Sequence, residues 1–450
     1  MTRAIVVLFN RDLRVHDHPA LAAAVQEADT VVPLFVLDDA ILESRFAAPN
    51  RLAFLHDCLT DLDTALLARG AGLVVRRGSV VAETVSVARE VGADAVFTSA
   101  DVSAYSKSRD TALTKALECE LRLFPGATVV DPGAVTPAAG DHYKVFTPYW
   151  RAWRALPRRP LAPTPARLQL ARGVRPGGPP SRGSLLRGEG PVSPSLPRGG
   201  ESEARRRLSR WAADDAAAYE THADDLAGDA TSRLSPYLRF GCISPLEVSE
   251  RSADEAFNRQ LCWRDFHYQV TDAFPAIATR DYRSRARSWR RSEEELTAWK
   301  DGRTGVPVVD AGMRQLLAEG WMHNRVRMIT ASFLTKDLHV WWPAGARHFL
   351  DHLVDGDLAS NNHGWQWVAG TGTDAAPYFR VFNPITQGTR FDPRGDYVRR
   401  WVPELAHLTG KQAHTPWDAE DGYEHGYPRR IVDHAEERER ALSRYQRGRG

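Results

Sequence analysis

Residues 320–338, GWMHNRVRMITASFLTKDL, carry the pattern that decides the fold of the C-terminal half of the chain. Over the longer stretch 320–391, Trp, Asn, His and Asp are frequent at positions where an ordinary helical core has Leu and Val. Helical spacing places Asn324, Arg327 and Met328 on one face, whereas Val326 lies on a second, apolar face that can be buried. The pattern therefore predicts a helix with a core side and a functional side.

A second helix of this kind is predicted over residues 257–270, FNRQLCWRDFHYQV. Its apolar stripe includes Cys262 and Phe266 and can be buried. The other stripe combines aromatic, amide and basic side chains, so it is suited neither to a core nor to simple exposure to water. This second stripe consists of Gln260, Trp263, Arg264 and His267.

Residues 341–388 continue the unusual composition. Asn361 and Trp365 are spaced i and i+4, so an amide and an indole lie side by side on one helix face, where they can contact a polar ligand with a π system. The alternative is an Asp-rich turn before a core helix. That alternative explains Asp355 and Asp357, but not two Asn and two Trp within seven residues.

The stretch 231–245, TSRLSPYLRFGCISP, combines small hydroxyl residues with an Arg where a loop enters a helix. Such groups can donate hydrogen bonds to phosphate oxygens. A simple helix cap by Thr231 or Ser232 explains the same residues.

Two further clusters have ordinary explanations. Several arginines surround Trp289 and form either a strip that faces phosphates or a solvated surface. His348 and His352 have the spacing of metal ligands but lack the other residues of a metal motif, so we interpret them as surface or packing residues. The arginines are Arg280, Arg283, Arg285, Arg287, Arg290 and Arg291.

At 450 residues, the chain is long enough for two domains, and 43% hydrophobic and 26% charged residues are ordinary for a globular protein. No run approaches the roughly 18 apolar residues of a membrane helix. The four cysteines form no CxxC pair, which argues against a zinc site or a disulfide framework. We therefore expect a cytoplasmic protein without a metal. The net charge of +2 does not by itself require a polyanionic partner.

The N-terminal part alternates short apolar runs with helical patterns. This alternation predicts an α/β domain with a doubly wound, Rossmann-like parallel sheet. Neither GxGxxG nor GxxxxGK[ST] occurs, so the usual dinucleotide and P-loop motifs are absent. Strands are expected near residues 4, 31, 73, 95 and 127.

Composition also predicts the domain boundaries. The α/β domain is assigned to residues 1–132. Residues 133–200, rich in Pro, Gly and Arg, are predicted to be an interdomain linker that is partly disordered. Residues 201–450 keep helical periodicity and form an all-α domain, whose charged tail after Tyr427 is expected to be solvated.

These blocks together resemble, in order and across nearly the whole chain, the class I cyclobutane pyrimidine dimer DNA photolyases of the photolyase/cryptochrome family. The resemblance is carried by GWMHNRVRMITASFLTKDL, DGDLASNNHGWQW, TGTDAAPYFRVFNP, TSRLSPYLRFGCISP, QLCWRDF and FNRDLR. It implies an N-terminal antenna domain, a helical FAD- and DNA-binding domain, and light-driven electron transfer from reduced FAD to a thymine dimer. The implied activity is that of a carbon-carbon lyase that acts on UV-damaged DNA of any sequence, as a monomer.

The resemblance also implies a set of flavin contacts. Arg327 matches the residue that pairs with Asp355 beside the flavin ring, and Asn361 matches the residue that faces flavin N5. Three tryptophans, Trp365, Trp342 and Trp289, match the chain that passes electrons to the photoexcited flavin. The implied FAD contacts are Tyr219, Thr231, Ser232, Arg233, Leu234, Ser235, Arg327, Asp355, Gly356, Asp357 and Asn361.

The implied lesion pocket has Trp263 and Trp367 as aromatic walls. A flipped dimer can stack on such walls, because a damaged pair costs less to unstack than an intact one. Gln260 stands where most of these photolyases have a Glu that contacts the dimer, which raises the alternative of a (6-4) photolyase. That class has histidines where this chain has Asn324 and Met328, so the cyclobutane dimer is favoured. The implied DNA contacts are Gln260, Trp263, Arg264, His267, Asn324, Arg325, Met328, Trp367 and Gln387.

Two points stay open in the resemblance. The antenna residues are more similar to those of deazaflavin-binding members, which implies 8-hydroxy-5-deazaflavin, with 5,10-methenyltetrahydrofolate as the alternative. A cryptochrome-like photoreceptor would use the same flavin and tryptophans for signalling. The antenna contacts implied are Phe35, Asp38, Arg51 and Asp101.

Overall fold

The structure is a computed structural model, and it describes residues 2–186, 190–214, 216–252, 254–283, 289–290, 292–374 and 380–447. The chain divides into two compact units. The first comprises residues 1–192, 197–220 and 232–275, and the second comprises residues 193–196, 221–231 and 276–450. The boundaries predicted at residues 132 and 200 rest on composition and not on contacts, so they stay a prediction.

The first unit contains a parallel five-stranded sheet in the order β3-β2-β1-β4-β5. This is the order of a doubly wound fold, and it confirms the predicted α/β class. Strands β1 and β2 are buried along their whole length, as expected for continuous apolar runs in a sheet that helices cover on both faces. The strands are β1 (Ala4–Phe9), β2 (Thr30–Asp38), β3 (Val74–Gly78), β4 (Ala95–Ser99) and β5 (Glu120–Phe124).

The predicted position of the fifth strand was wrong. The strand that pairs with β4 is Glu120–Phe124, not the apolar segment that begins near residue 127. In that segment, the backbone N–H groups of Val129 and Val130 donate to the Asp265 carboxylate, at 3.0 and 3.2 Å, instead of to a neighbouring strand. A side-chain acceptor has replaced the strand ladder.

Helices make up most of the remaining regular structure. Among those that the structure describes, none combines the length and the apolar character that a membrane span requires. Up to residue 275 they are α1 (Pro19–Glu27), α2 (Asp39–Leu42), α3 (Pro49–Leu67), α4 (Val80–Val91), α5 (Ala104–Ala116), α6 (Phe146–Ala155), α7 (Arg182–Leu185), α8 (Glu201–Asp214), α9 (Tyr219–His222), α10 (Ser235–Phe240), α11 (Pro245–Arg251) and α12 (Glu255–Ala273). Beyond it they are α13 (Glu293–Lys300), α14 (Pro307–Glu319), α15 (Asn324–Ser332), α16 (Trp342–His352), α17 (Leu358–Ala369), α18 (Pro384–Phe391), α19 (Asp396–Trp401) and α20 (His434–Arg447), with a π-helical turn at Phe333–Asp337.

Residues 157–186 have little regular structure, but their backbone is bonded to the α/β layer. The Val31 N–H donates to the Gln169 carbonyl at 2.8 Å, and the Leu168 N–H donates to the Arg69 carbonyl at 2.7 Å. These bonds fix part of the segment that is rich in Pro, Gly and Arg to the α/β layer of the first unit.

Gly241, directly after α10, occupies a backbone conformation that requires glycine. Its φ is 67°, and a Cβ there would lie 1.9 Å from the Arg11 carbonyl oxygen. The Gly241 carbonyl in turn accepts a 3.0 Å hydrogen bond from the fully buried Arg14 guanidinium. The turn therefore lets two backbone segments of the first unit touch.

The second unit has a core built mainly from α14 to α17, with Trp299, Trp342 and Trp365 at its centre. Gly345 in α16 is essential to this packing, because a Cβ there would lie 2.2 Å from the Trp365 ring. Small size at one helix position thus allows α16 to lie directly on an indole of α17.

The expectation that the tail after Tyr427 is solvated holds for only part of it: Arg429, Arg430 and Arg438 are exposed, but one face of α20 is buried. The Tyr427 hydroxyl, which is buried, donates to the Asp310 carboxylate at 2.7 Å. In α20, His434 bonds to Asp337 at 2.5 Å, and Glu437 is buried. Two buried residues of the tail, His434 and Glu437, are thus paired with the buried groups Asp337 and His339 of the second unit, which composition alone cannot show.

Candidate functional site

Helix α15 has the two faces predicted from its sequence. Val326 and Ile329 are buried, whereas Asn324 is exposed and Met328 is half-buried. The helix begins after His323, whose Nδ1 accepts a hydrogen bond from the Arg325 N–H at 3.2 Å. Burial lowers the pKa of His323 to about 4, so this cap is neutral at neutral pH.

Arg327 leaves the same helix and forms a bidentate ion pair with Asp355. The two guanidinium-to-carboxylate distances are 3.1 and 2.8 Å, and Arg327 Nε donates to the Met322 carbonyl at 2.8 Å. Only 3% of the Asp355 side chain is exposed, against 24% for Arg327. A planar guanidinium held at three points is a rigid, positively charged surface. Gly356, next to it, is buried.

Helix α17 begins directly after the next acidic residue, Asp357. The Asp357 carboxylate caps the helix by accepting a 2.9 Å bond from the Ser360 N–H. One turn further, Asn361 donates through Nδ2 to the Ala346 carbonyl at 3.1 Å and to Asn362 Oδ1 at 3.0 Å. Both bonds use the amide nitrogen, so they leave the Asn361 carbonyl oxygen without a hydrogen bond in the described part of the chain.

The hydroxyl-rich segment before α10 does not cap that helix. The helix begins at Ser235, and its cap position is Leu234, whose side chain makes no cap hydrogen bond. Ser232 Oγ accepts a 3.4 Å bond from the Leu234 N–H, and Arg233 has a φ of 48°. In the second unit, Thr231 Oγ1 is buried without a hydrogen-bond partner in the described part of the chain. The capping alternative was therefore wrong.

Tyr219 lies in the first unit at the start of α9. Its ring packs edge-on against Trp211 at 5.9 Å and against Phe257 at 5.2 Å, between ring centroids. This aromatic cluster holds the beginning of α9 against α8 and α12.

Helix α12 also has the two faces predicted for it. Cys262 and Phe266 are fully buried. On the other stripe Gln260 is exposed, and Trp263 and His267 are half-buried with their rings 5.8 Å apart. The face that sequence analysis assigned to a ligand is thus the accessible face.

The Trp263 indole is stacked flat on Phe146 of α6. The ring centroids are 3.6 Å apart and the planes differ by 4°. Phe266 meets both rings edge-on, at 5.6 and 5.8 Å. Since Phe146 covers one face of the indole, only the other face can receive a ligand.

The predicted DNA-contacting arginines make bonds within their own units. Arg264 donates to the Ala127 carbonyl at 2.5 Å and to the Tyr268 hydroxyl at 3.0 Å. Arg325 forms a bidentate pair with Asp224, at 3.0 and 2.5 Å. Both guanidinium groups are therefore held in fixed positions.

Two other predicted lesion contacts lie in the second unit. Trp367 on α17 is half-buried, with the Arg380 guanidinium 6.0 Å from its ring centroid. Gln387 on α18 is half-buried as well.

The three predicted electron-transfer tryptophans differ in burial. Trp365 and Trp342 are buried, whereas Trp289 is half-buried. The Trp342 Nε1–H group donates to the Asp281 carboxylate at 2.6 Å. Asp281 is not among the predicted site residues, because nothing near it in the sequence marks it as a tryptophan partner.

The arginines near Trp289 are only partly described. Arg280 and Arg283 are exposed, and Arg290 is paired with Glu295 at 3.1 Å and with Glu437 at 3.3 Å. The other three, Arg285, Arg287 and Arg291, lie outside the described residues. His348 is buried beside Trp299, and burial lowers its pKa to about 3, so it is a packing residue.

The predicted antenna residues all lie in the first unit. Asp38, at the carboxyl end of β2, caps α2 and accepts a hydrogen bond from the Tyr105 hydroxyl. Burial, together with this carboxylate, raises the pKa of Tyr105. Arg51 is buried, with its guanidinium bonded to the Phe46 carbonyl at 2.9 Å.

The other two antenna candidates have different surroundings. Phe35 is buried in β2, and Asp101 pairs with Arg11 at 3.1 Å. The structure thus brings Asp38 together with Tyr105, a residue that sequence analysis had missed.

Comparisons with known proteins give the family. Residues 5–167 match the family model of DNA photolyase, and residues 257–447 match that of the FAD binding domain of DNA photolyase. The deoxyribodipyrimidine photo-lyase of Streptomyces griseus is 50% identical over 458 residues, which cover 99% of each chain. A bacterial class III photolyase from Agrobacterium tumefaciens has a TM-score of 0.91 at 36% identity, with 100% of this chain and 98% of that chain covered. An archaeal photolyase from Sulfolobus tokodaii with two FAD molecules has a TM-score of 0.85 at 32% identity, with 99% and 100% covered. The resemblance found in the sequence is confirmed: the chain belongs to the DNA photolyase family, and residues 257–447 correspond to its FAD-binding domain.

Proposed function

We propose that the protein is a light-driven DNA repair enzyme that uses FAD to split cyclobutane pyrimidine dimers in UV-damaged DNA, independently of sequence and as a monomer. The observation that carries the proposal is a set of polar groups at the positions implied for the flavin: Thr231 Oγ1, the Arg327–Asp355 pair and the Asn361 carbonyl oxygen. The protein holds these groups in place but leaves part of their hydrogen-bonding capacity unused. Full-length similarity to named photolyases supports the same function.

The residues present fit FAD. Thr231 Oγ1 is a buried hydroxyl with no hydrogen-bond partner among the described residues, and such a group normally has a hydrogen bond. A phosphate or ribose oxygen of FAD would supply it. The rigid Arg327–Asp355 pair and the Asn361 carbonyl oxygen offer a cation and an acceptor suited to the polar edge of a flavin ring. We propose that Tyr219, Ser232, Arg233, Leu234, Ser235, Gly356 and Asp357 complete the contacts.

When bound and reduced, FAD supplies the electron that opens the cyclobutane ring. The chain's own residues hold the lesion. The Trp263 indole, braced by Phe146, offers one free face on which an extruded base can stack, and Trp367 is proposed as the second wall. Asn324 and Met328 would contact the dimer, while Arg325, Arg264, His267 and Gln387 would contact DNA or position the groups that do.

The choice of lesion depends on α12 and α15. Gln260 is exposed and can donate a hydrogen bond through its amide, but it cannot supply a proton. This feature favours the alternative of a (6-4) photolyase. The exposed face of α15 argues for the cyclobutane dimer, because Asn324 and Met328 provide no acid–base pair there.

We propose that the antenna site lies around the carboxyl end of β2 and takes 8-hydroxy-5-deazaflavin. Asp38 and Tyr105 form a hydrogen-bonded pair there, and Phe35 supplies an apolar wall. Arg51 would help to orient the chromophore by holding the backbone at Phe46, and Asp101 would do so through its charge, which is paired with Arg11. An absorption spectrum of the purified protein distinguishes a deazaflavin from 5,10-methenyltetrahydrofolate and from a second FAD, as named for the Sulfolobus tokodaii protein.

One experiment tests the repair activity. Purified, reduced protein is illuminated with oligonucleotides that carry either a cyclobutane dimer or a (6-4) product, with dark samples as controls, and restored thymines are counted. We expect thymines to be restored only from the cyclobutane dimer. Repair of the (6-4) product alone would overturn the lesion assignment, and failure with both lesions would favour a cryptochrome-like photoreceptor.

A further inference from the structure

The Trp342 indole is buried at the first position of α16, and its N–H group has a charged acceptor. Its Nε1 atom lies 2.6 Å from Asp281 Oδ1. Trp342 is fully buried, and Asp281 is half-buried. A buried indole N–H needs an acceptor, but a neutral carbonyl would satisfy it. A carboxylate adds a negative charge next to the ring.

The position of Asp281 is fixed by a side-chain amide from α17. Gln366, which is fully buried, donates through Nε2 to the Arg280 carbonyl at 2.9 Å and accepts through Oε1 from the Tyr282 N–H at 2.8 Å. The residues on both sides of Asp281 are therefore clamped by one amide. Gln366 directly follows Trp365, so the element that carries one proposed redox tryptophan also positions the acceptor of the next.

The charge of Asp281 affects how easily Trp342 loses an electron. Removal of one electron leaves a positive charge on the indole, and a carboxylate at hydrogen-bond distance stabilises that charge strongly in a buried site. Without it, the positive N-terminal end of the α16 dipole, where Trp342 lies, would oppose the loss of the electron.

We propose that Asp281 is the electrostatic partner of Trp342 during reduction of the flavin, and that Gln366 is its positioning residue. The inference rests on the proposed function, in which Trp342 gives one electron to oxidised Trp365 and receives one from Trp289. The oxidant is the photoexcited flavin, and the final reductant is a soluble thiol. The Nε1 proton stays in the hydrogen bond to Asp281 throughout, so only an electron enters and leaves the indole.

Asp281→Asn tests the proposal because it keeps an acceptor oxygen but removes the charge. Asp301→Asn, at an exposed carboxylate of the same unit, is the matched control. Flavin photoreduction in the presence of a thiol is expected to slow about tenfold in Asp281→Asn and to stay unchanged in the control. Asp281→Glu restores the charge and should recover part of the rate; it also serves as the second variant if Asp281→Asn fails to fold. Gln366→Leu should slow photoreduction in the same direction as Asp281→Asn.

A second readout needs no light. In holoprotein labelled with ¹⁵N in tryptophan, the Trp342 Nε1–H signal, assigned with Trp342→Phe, should shift in Asp281→Asn and stay in place in Asp301→Asn. A signal that does not move, or a photoreduction rate that Asp281→Asn leaves unchanged while Trp342→Phe slows it, would overturn the role of Asp281. An unchanged rate in Trp342→Phe would instead remove Trp342 from the proposed electron path.

Discussion

The stack between Phe146 and Trp263 gives a quantitative test of the lesion site. The two rings lie 3.6 Å apart and almost parallel, so Phe146 fixes the plane of the indole that is proposed to receive the dimer. Trp263→Ala removes the wall itself, whereas Phe146→Leu keeps an apolar side chain but removes the stack. The two variants separate the wall from its support.

Their expected effects follow from stacking energies. A base stacked on an aromatic side chain contributes about 1–3 kcal/mol, so Trp263→Ala should weaken binding of dimer-containing DNA by about 5- to 160-fold. An aromatic pair contributes about 0.5–1.5 kcal/mol beyond its burial. Loss of the Phe146 ring should therefore weaken the binding of dimer-containing DNA by no more than this, which corresponds to about 2- to 13-fold. In the Trp263→Ala background, Phe146→Leu should have no further effect on lesion binding, because the indole that it positions is already absent.

The assay is dark binding of the holoprotein to duplexes with and without one dimer, measured as the ratio of the two dissociation constants. Phe97→Leu is the control, since Phe97 is a fully buried ring of the first unit that packs against Phe124 of β5, with ring centroids 4.9 Å apart. It should lower stability without changing the ratio. Equal effects of Phe146→Leu in the presence and absence of Trp263 would refute the positioning argument.

Three further variants test the framework of the site. Asp355→Asn should reduce the free energy of unfolding by about 2–3 kcal/mol and lower the flavin content, because it leaves the mostly buried Arg327 guanidinium without its charge partner. Urea unfolding measures the first effect, and flavin absorbance measures the second. Gly241→Ala should lower the free energy of unfolding by about 4 kcal/mol or more, because the added Cβ would overlap a backbone oxygen. Gly92, with φ 58° and no atom within 4 Å of the position of an added Cβ, is the control, and Gly92→Ala should lower it by only about 1–2 kcal/mol. Similar decreases in both variants would contradict this account. Burial raises the pKa of Asp337 from 3.8 to about 6, so the folded state binds the proton more tightly than the unfolded state and gains stability as the pH falls from about 6 toward 3.8. Over that range, the unfolding free energy of the wild type should rise by up to about 3 kcal/mol relative to that of Asp337→Asn. Parallel pH profiles of the two proteins would contradict the shift.

The sequence predicts those parts of the fold and site that depend on local periodicity. Continuous apolar runs predicted buried parallel strands, and two of them form β1 and β2. Helical spacing predicted which faces of α12 and α15 are buried, and Phe266 and Val326 are indeed fully buried. In each case the signal lies within one element.

Contacts between distant residues could not be predicted in this way. Asp281 and Trp342 are 61 residues apart, and an isolated Asp after an Arg has no pattern that indicates an indole partner. Phe146 likewise gave no sign that its ring would cover Trp263. The Arg264 side chain was expected to face DNA, and only the structure shows its bond to Tyr268.

The failed strand prediction and the position of α12 have one physical cause. Asp265 is fully buried on the core side of α12, two residues after Trp263, and its carboxylate accepts bonds from the Val129 and Val130 N–H groups and from Trp153 Nε1 at 2.9 Å. Burial raises the pKa of Asp265 to about 6, so an ionised carboxylate is costly there unless several donors surround it. Backbone N–H groups that are committed to a strand ladder could not be those donors. The segment after residue 127 therefore does not pair as a strand, and its N–H groups bind the Asp265 carboxylate of α12 instead. In this way the segment fixes the helix that carries Trp263, the proposed lesion wall.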